Sequence, residues 1–432
     1  MATKHLLAAG ALSAVAALLL AGCSAAGDGG GSDGEIAGEI TVLTNRTDLI
    51  DSLFAEYGAA FEEKYPGTTV KFEGITNYDQ DVTTRLAGGS AGDVLALPNG
   101  LTEGQITEFF EPLGSTDELG EKYRFASEYS YDGETYAISV GGVASGMVVN
   151  QRVWAEAGIT EPPTTPEDFL AGLEAIKANS PETVPYYTNY KDGWPVTFFD
   201  NERAILGDPD ILEAWPEDPA LWEEGKYAYI ADGLLFDIVH EGLSEEDPLT
   251  TNWEQSKPDL AEGKIASMLL GSWAVPQMKA AAEEIGADPD DIAFWPFPYQ
   301  TDGVFHSKIA GDRASAIASN SSNKATAKAW LEWFIDESGF AESQGSIPVP
   351  KDSAMPKENE DFAATGVELL ELNAAGDNAG KEAEIYKLAE IDGTIYRQQL
   401  IDVARGAADG DWESFTANLN ERWGTAQADV MG

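Results

Sequence analysis

Cysteine is nearly absent from this chain, which contains one, Cys23, among 432 residues. A lone cysteine cannot form a disulfide within the chain, so the folded body must be stable without one. Histidine is also scarce, with three residues, and His240 and His306 lie far apart without the paired spacing of a zinc site. We therefore expect surface histidines, no metal site and no thiolate chemistry.

Basic residues are few as well. The chain has 26 Lys and Arg against 75 Asp and Glu, a formal net charge of -49. A field of this sign repels nucleic acids and anionic lipid headgroups, which excludes both as expected partners. The simplest interpretation of the charge is a solvated surface that resists aggregation.

Signatures of nucleotide binding and of serine hydrolases are missing. Because no P-loop or dinucleotide fingerprint occurs, we predict no cofactor. Residues 88–92 match the letters of a hydrolase nucleophile elbow, G-x-S-x-G. That elbow lies between a strand and the helix that follows it, whereas here a predicted helix precedes the motif and a predicted strand follows it. The match therefore does not indicate a nucleophile.

Long hydrophobic runs are absent apart from residues 6–20, and that run is short for a membrane span. It ends in the letters L-A-G-C at residues 20–23, which resemble the lipobox of bacterial lipoproteins. The resemblance implies a signal peptide over residues 1–22 and a diacylglycerol on the Cys23 thiol. It implies an extracytoplasmic protein, attached to the cell membrane by its lipid anchor only. An ordinary secretory signal with an incidental cysteine is the alternative.

The chain after the lipobox has two parts. Residues 23–38 are mostly Gly, Ala, Ser and Asp and read as a flexible linker. The remainder reads as globular, since 43% of the chain is hydrophobic and its mean hydropathy is -0.24. Its length suffices for two domains with substantial cores.

The globular part alternates predicted strands and helices. Residues 39–44, 69–72 and 93–97 read as strands. Helices over 48–65 and 79–87 separate them, and Asp48 is the expected N-cap of the first helix. This β-α-β-α-β series predicts a parallel sheet wrapped by helices.

A second α/β series follows without a flexible linker, which predicts two lobes with a cleft between them. Its predicted strands are 184–188, 265–270 and 315–318, its predicted helices are 165–177, 193–206, 229–242, 275–285 and 324–335, and the chain from residue 362 onward is predicted to be mostly helical.

Several segments, taken in order, carry a family resemblance. The most telling are residues 57–67, 92–94, 131–150, 154–158, 162–169, 262–273 and 348–351. Their order and spacing resemble those of the carbohydrate-binding extracellular solute-binding proteins, family 1, of ABC importers. The resemblance implies an α/β, two-lobed periplasmic-binding-protein-like fold (class II), whose hinge-connected lobes close on a ligand. It assigns residues 39–142 plus 304–350 to lobe 1 and residues 143–303 plus 351–432 to lobe 2.

The same resemblance implies a binding protein and not an enzyme. Such a protein captures a sugar or oligosaccharide and delivers it to ABC permease subunits in the membrane, with the ATPase on a separate chain. We expect a monomer.

A sugar site needs aromatic rings for the apolar ring faces and paired polar groups for the hydroxyls. Polar candidates follow the predicted strands of the first lobe, where a doubly wound sheet presents its ligand edge: Asn45, Arg46, Asp48 and Asn99. Aromatic candidates are Tyr190 and Trp194 in a Gly/Pro-bearing loop and Trp273 after a strand, where the family's tryptophan commonly stacks on sugar. Looser candidates are Tyr78, Trp253, Asp312 and Arg313.

Each candidate has a structural alternative, and so does the function. Asp48 can act only as a helix cap, Arg46 as an ion-pair partner, and the aromatic residues as core. A cationic small solute such as a quaternary amine, held in an aromatic cage, would suit the negative charge. A secreted glycan hydrolase would need two carboxylates at a set separation, which an excess of acidic residues does not indicate.

Overall fold

The computed structural model describes residues 34–374, 378 and 380–432. The predicted signal peptide and Cys23 lie outside the described residues. Within the described part, no helix combines the length and the apolar character needed to cross a membrane.

The elements alternate along the chain as the sequence predicts. The strands are β1 (Gly38–Thr44), β2 (Thr68–Gly74), β3 (Val94–Ala96), β4 (Gly114–Ser115), β5 (Ser130–Tyr131), β6 (Glu134–Thr135), β7 (Ala137–Asn150), β8 (Ser267–Gly271), β9 (Ile292–Trp295), β10 (Gln300–Thr301), β11 (Val304–Ile317) and β12 (Val367–Glu371). The α-helices are α1 (Ala55–Lys64), α2 (Tyr78–Ala87), α3 (Glu103–Phe109), α4 (Thr116–Lys122), α5 (Gln151–Glu156), α6 (Pro166–Asn179), α7 (Ile211–Ala214), α8 (Tyr227–His240), α9 (Trp253–Glu262), α10 (Ala274–Ile285), α11 (Lys324–Asp336), α12 (Phe340–Ser343), α13 (Lys357–Ala363), α14 (Lys381–Leu388), α15 (Gly393–Ala404) and α16 (Trp412–Met431). Short 3-10 segments are Thr47–Leu49, Trp194–Leu206, Trp215–Glu217, Pro248–Thr250 and Pro289–Asp291, and Ile50–Phe54 is a π-helical segment.

The first α/β series has the predicted parallel pairing. Strand β1 pairs in parallel with β2 on one side and with β3 on the other. The prediction that Asp48 caps the first helix is wrong. Arg46 holds the N-cap position of a 3-10 turn that already contains Asp48. The Leu49 N–H donates to the Arg46 carbonyl at 3.1 Å, so Asp48 lies within this turn. Helix α1 begins only at Ala55, with Phe54 at its N-cap position.

Two long strands, β7 and β11, run through the whole sheet. Its order is β2-β1-β3-β11-β7-β8, with β9 on β7 and with β10 and β12 on β11. The first half of β7 pairs antiparallel with the second half of β11, whereas its second half pairs with β8 and β9. The first half of β11 pairs with β12. The two strands therefore change partners midway, near residues 143–145 of β7 and 309–310 of β11.

Apolar side chains pack on both sides of this partner change. Trp330 of α11 packs with Phe61 and Phe72 on the β1–β3 side. On the other side, Trp154, Trp222 and Trp423 are buried among the helices around the second half of β7. Large buried aromatics thus fix the helices of each part against the sheet.

Two predicted segments differ from the structure. Residues 184–188 form isolated bridges, Val184 to Ile265 and Tyr186 to Ser244, and no strand. The C-terminal stretch is mostly helical, as predicted, but it also contains β12, a strand that the sequence does not predict and that pairs with β11. In both cases the partner segment lies far away in the sequence, so local pattern does not report whether a ladder forms.

Candidate functional site

Three of the predicted tryptophans lie together with Phe198, and we call these four residues the tryptophan cluster. The ring centroids of Trp194 and Trp253 are 5.1 Å apart, those of Trp194 and Trp273 are 5.8 Å apart, and those of Trp253 and Trp273 are 5.7 Å apart. Phe198 lies 6.0 Å from Trp194 and 6.1 Å from Trp273. The Trp194 side chain is 37% exposed. The side chains of Phe198, Trp253 and Trp273 are partly buried. A group of partly exposed rings is a surface on which an apolar ligand face can stack.

The local structure explains how these rings meet. Trp194 begins a 3-10 segment, Trp253 is the first residue of α9, and Trp273 holds the N-cap position of α10 directly after β8. The Trp253 N–H donates to an Asp192 carboxylate oxygen at 2.8 Å, which ties α9 to the loop before Trp194. A Cβ at Gly271 would lie 2.5 Å from Trp273 Nε1, so only glycine leaves room for this indole.

A cation already lies beside this cluster. The Lys257 ammonium is 5.0 Å from the Trp253 ring centroid, and Lys257 also pairs with Glu254 at 2.9 Å. One ring of the cluster therefore has a cation–π partner within the protein.

Polar residues of the β1, β11 and α12 regions form a second group, which we call the polar rim: Asn45, Arg46, Asp312, Arg313 and Gln344. All five line one cavity of about 210 Å³. Arg46 Nη1 donates to Gln344 Oε1 at 2.8 Å. The rim thus presents guanidinium, carboxylate and amide groups side by side.

Asn99 extends the rim through a carboxylate. Asp79, in the first turn of α2, accepts from the Asn99 N–H at 3.0 Å and from Asn99 Nδ2 at 3.1 Å. Arg313 Nη1 lies 3.6 Å from the same Asp79 side chain. Arg313 has a positive φ of 45°, which is uncommon for a non-glycine residue and is found at functional sites.

The chain segment that follows the polar rim approaches the helix that begins at the tryptophan cluster. A Cβ at Gly345, the residue after Gln344, would lie 3.4 Å from Pro276 Cγ. Pro276 lies in the first turn of α10, whose N-cap is Trp273. The start of α10 therefore lies close to the residue after Gln344.

Ionisable side chains are buried where β7 and β11 change partners. Glu202 is 0% exposed and accepts a hydrogen bond from Ser145 Oγ of β7. Lys308 Nζ of β11 donates to Asn201 Oδ1 at 3.1 Å. Burial raises the pKa of Glu202 to about 8, opposed by the Ser145 hydrogen bond and by Lys308, and burial lowers the pKa of Lys308.

Glu128 lies near the same crossing, beside the middle of β11. Its carboxylate accepts from the Gly311 N–H at 2.8 Å, and burial raises its pKa to about 7. A Cβ at Gly311 would collide with Ser139 and Glu128, so glycine is required for this close approach.

Two predicted ligand residues are occupied elsewhere. The Tyr78 hydroxyl donates to backbone carbonyls, at 2.8 Å from Ala96 O and 3.2 Å from Leu43 O, and the side chain is buried. The Tyr190 hydroxyl donates to an Asp402 carboxylate oxygen of α15 at 3.0 Å. Asp48 lies in the 3-10 turn after β1. Ligand contact by these three residues stays a prediction.

Sequence reasoning missed Phe198, Asp79 and Gln344. Phe198 could have been found, because it lies four residues after Trp194 in a predicted helix and therefore on the same face. Gln344 carries no local signal, since its partner Arg46 is distant in the sequence. Among the described residues, no group of three or more His, Cys, Asp or Glu could hold a metal ion.

Comparisons with known proteins agree with this architecture. The chain is similar to the BlMnBP1 binding protein of an ABC transporter from Bifidobacterium animalis subsp. lactis, solved in complex with mannobiose. The identity is 33%, the TM-score is 0.79, and the match covers 91% of this chain and 95% of that chain. A manno-oligosaccharide specific solute binding protein of the same organism, BlMnBP2 in complex with mannotriose, is 31% identical with a TM-score of 0.78, and the match covers 91% of this chain and 95% of that chain.

A more distant relative is the diacetylchitobiose binding protein DasA of Streptomyces coelicolor, 24% identical over 74% of this chain and 75% of that protein. These relatives are binding proteins, and the two solved neighbours confirm the predicted α/β, periplasmic-binding-protein-like fold. The sequence pattern described as bacterial extracellular solute-binding protein matches residues 45–339. The chain therefore belongs to the bacterial extracellular solute-binding protein family.

Proposed function

We propose that this protein is the sugar-binding component of an ABC importer and that its ligand is a short manno-oligosaccharide. The observation that carries the proposal is the partly exposed tryptophan cluster, together with a rim of guanidinium, carboxylate and amide groups. Indole rings stack on the apolar faces of pyranose rings, while the polar groups pair with the hydroxyls. The two sides together match the amphipathic surface of a sugar.

Mannose as the sugar unit is supported by the solved neighbours. Two of them, at 31% and 33% identity over 91% of this chain, were solved with mannotriose and mannobiose. The relative that binds diacetylchitobiose is less similar, at 24% identity. We therefore favour mannobiose and mannotriose over other short oligosaccharides.

The ligand residues we propose are those sequence candidates that lie in the tryptophan cluster or in the polar rim, together with Asn99. Trp194, Trp253 and Trp273 stack on the sugar, with Phe198 behind them, and Asn45, Arg46, Asn99, Asp312 and Arg313 bind hydroxyls. Gln344 joins the set because it shares a hydrogen bond with Arg46. Asp79 orients Asn99 and Arg313 and acts as a positioning residue.

Lobe closure is part of the proposal. Lobe 1 comprises residues 39–142 plus 304–350, and lobe 2 comprises residues 143–303 plus 351–432. We propose that the hinge lies where β7 and β11 exchange partners. The chain then returns from lobe 2 to lobe 1 inside β11, near residues 309–310, and not at residue 304. Ligand bound to both lobes would then favour the closed form, the form that docks on the permease.

The cellular setting follows from the lipobox-like segment. We propose that Cys23 carries a diacylglycerol and that the chain between Cys23 and the start of β1 tethers a monomeric receptor to the outer face of the cell membrane. The sequence predicts a tether that ends at residue 38, but Ala37 is hydrogen-bonded to Thr326 and Gly38 already belongs to β1. Tethering raises the effective concentration of loaded receptor near its permease. The ATPase resides on a separate chain.

The rival ligands are less consistent with the geometry. A quaternary amine would meet a cluster that already holds the Lys257 ammonium against Trp253, and a rim with two guanidinium groups nearby. Like charges at such distances oppose binding of a cation. A hydrolase would turn over the oligosaccharide instead of returning it intact.

Calorimetric titration tests the ligand. The chain from Ser24 onward keeps every residue of the fold described above and would be titrated with mannobiose, mannotriose, diacetylchitobiose, raffinose and choline. We expect saturable heat with the manno-oligosaccharides, at micromolar or lower Kd, and recovery of unaltered sugar by chromatography. Binding of choline alone, or release of mannose, would replace the proposed function with one of its rivals.

A further inference from the structure

We propose that the cavity behind the polar rim is a subsite for a small apolar group, acyl or aryl, carried by the bound oligosaccharide. This inference rests on the proposed sugar-binding function and extends it to the chemical class of the ligand. It arises from a contrast within the lining of this cavity: the polar rim residues are exposed or half-buried and form its mouth, whereas the aromatic residues Phe54, Trp330 and Phe334 are buried and form its interior.

The interior is built by two walls. Val42 of β1 and Val94 and Ala96 of β3 line the sheet side, and Trp330 and Phe334 of α11 line the helix side. Three hydroxyl side chains also line the cavity, those of Thr44, Ser315 and Ser346. The several hydroxyl groups of a pyranose ring would find few other partners there, so the interior does not suit a sugar ring. An apolar group would exchange water for these walls at a gain in free energy.

The walls are held in place by contacts among themselves. Phe54 stacks on Phe72 with centroids 5.3 Å apart and on Phe340 with centroids 5.9 Å apart. Phe340 in turn lies 5.0 Å from Phe334. A core normally closes around such a volume because unmade contacts reduce stability. Because the rings of the wall pack against one another, they resist moving into this volume.

The mouth connects this interior to the proposed sugar site. Asn45, Arg46 and Gln344 line the same cavity as Phe54 and Phe334. Gln344 precedes Gly345, where an added Cβ would lie 3.4 Å from Pro276 Cγ, in the first turn of the helix that has Trp273 as its N-cap. A sugar hydrogen-bonded to the rim would therefore carry its substituent past Arg46 and Gln344 into the interior.

The volume of the cavity is compatible only with a small group. The cavity measures about 210 Å³. Engineered apolar cavities of about 150 Å³ admit benzene. A phenyl ring or a short acyl chain fits this scale, whereas an additional hexose would require the rings of the wall to separate.

The test compares ligand pairs that differ only in the apolar group. Titrations of the chain from Ser24 onward would compare methyl β-mannobioside with phenyl β-mannobioside, and mannobiose with mono-O-acetylated mannobiose. We expect at least one substituted ligand to bind about tenfold more tightly than its partner. A gain with the phenyl compound indicates an aglycone at the anomeric oxygen, and a gain with the acetylated compound indicates an ester on a hydroxyl.

Variants then locate the gain. Ala96→Leu and the milder Ser315→Val add carbons at two lining positions, and Ala87→Leu on the exposed surface of α2 is the matched control. The lining variants should reduce the tenfold gain to twofold or less while leaving the affinity for mannobiose within twofold, and the control should keep the gain.

Equal binding of both partners in each pair by the wild type would overturn the subsite and leave the proposed function standing. A gain that survives both lining variants places the group elsewhere and also overturns it. Absence of binding by every mannoside would reject the proposed function itself, and the subsite with it.

Discussion

The two sides of the proposed site differ in the way they are built. The tryptophan cluster gathers four rings from residues 194 to 273, all from the second α/β series. The polar rim gathers single side chains from positions as distant as Asn45 and Gln344, which are brought together by the edge of the sheet and α12. One side is a compact aromatic surface and the other is a set of separate donors and acceptors.

This difference indicates that the tryptophan cluster and the polar rim contribute differently to ligand binding. A ring surface provides non-directional contact energy and tolerates several sugars, because every pyranose has an apolar face. Hydrogen-bonding groups at fixed positions discriminate among sugars, because a missing hydroxyl leaves a desolvated partner unpaired. We therefore expect the tryptophans to set affinity and the rim to set selectivity.

The largest effect should come from removing the ring at the centre of the cluster. Trp273 contacts Trp194, Trp253 and Phe198, so Trp273→Ala removes a stacking surface and loosens its neighbours. We expect mannobiose affinity to fall roughly 30- to 100-fold, as for a central aromatic anchor. Calorimetry measures the loss, and Trp273→Phe should recover part of it.

Trp412→Ala is the matched control, because Trp412 packs against Tyr229 and Phe236 and contacts none of the cluster rings. It should leave affinity within twofold at a temperature where the variant is folded. An equal loss in both variants would mean that the Trp273 effect is one of global stability.

The next effect is expected at the place where β7 and β11 change partners. Glu202 has a folded-state pKa of about 8, raised by burial from an ordinary value of 4.5. A carboxyl group with a raised folded pKa stabilises the fold fully below its unfolded pKa and loses that contribution as pH rises toward 8. Glutamine mimics the protonated form. The unfolding free energy of Glu202→Gln relative to wild type should therefore increase by roughly 3 kcal/mol from pH 5.5 to pH 8.

Urea denaturation at the two pH values measures this change. Glu128, whose pKa is raised to about 7, is present in both proteins, so its own titration cancels in the comparison. The exposed Glu174→Gln in α6 is the control and should show a difference below about 0.5 kcal/mol. A flat difference for Glu202→Gln would show that the crossing carries no titrating carboxyl at this position.

A smaller effect is expected at the polar rim. Arg46→Gln keeps an amide donor but removes the charge and its hydrogen bond to Gln344. We expect mannobiose affinity to fall about tenfold, the value of one charge-assisted hydrogen bond. The ratio of mannobiose to cellobiose affinity should fall as well, whereas Trp273→Ala should leave that ratio nearly unchanged. Arg152→Gln, at a surface ion pair with Asp291, is the matched control. Should the ratio respond to Trp273 and not to Arg46, the division of roles between the two sides would be reversed.

The smallest effect is expected at Tyr190. Its hydroxyl donates to Asp402 of α15, outside the tryptophan cluster. Tyr190→Phe should change affinity less than twofold and reduce stability by about 1 kcal/mol through the lost hydrogen bond. Thermal denaturation and calorimetry on the same sample separate the two. A tenfold loss of affinity would return Tyr190 to the ligand site, as the sequence predicts.

Prediction from sequence succeeds here where the signal is local. The strands around β1, β2 and β3 and the helices α6, α8, α10 and α11 follow from apolar periodicity, from the Thr165 cap and from turn residues. It fails for residues 184–188 and for β12, because pairing with a distant strand decides whether a short apolar segment forms a ladder. For the same reason, the sequence pattern predicts a strand only over residues 315–318 and misses the rest of β11.

The candidate site divides along the same line. Trp194 could be selected from sequence because aromatic residues in Gly-bearing loops are poor core candidates, and Trp273 could be selected because it follows a strand at a position where the family resemblance implies a stacking tryptophan. Gln344 could not, since nothing near it in the sequence signals its hydrogen bond to Arg46. Asp79 was unrecognisable for a similar reason, because a carboxylate in the first turn of a helix has an adequate local role.

The sequence by itself determined the α/β class, the family resemblance, the absence of disulfides and the identity of most polar and aromatic candidates. These properties depend on composition, periodicity and short-range spacing, which a linear chain displays directly. Only the tertiary structure decided which of those candidates meet, that β7 and β11 exchange partners at a buried set of carboxyls and a lysine, and that an aromatic cavity opens behind the polar rim. Such features arise from contacts between residues far apart in the chain, where packing and desolvation, and not local preference, set the outcome.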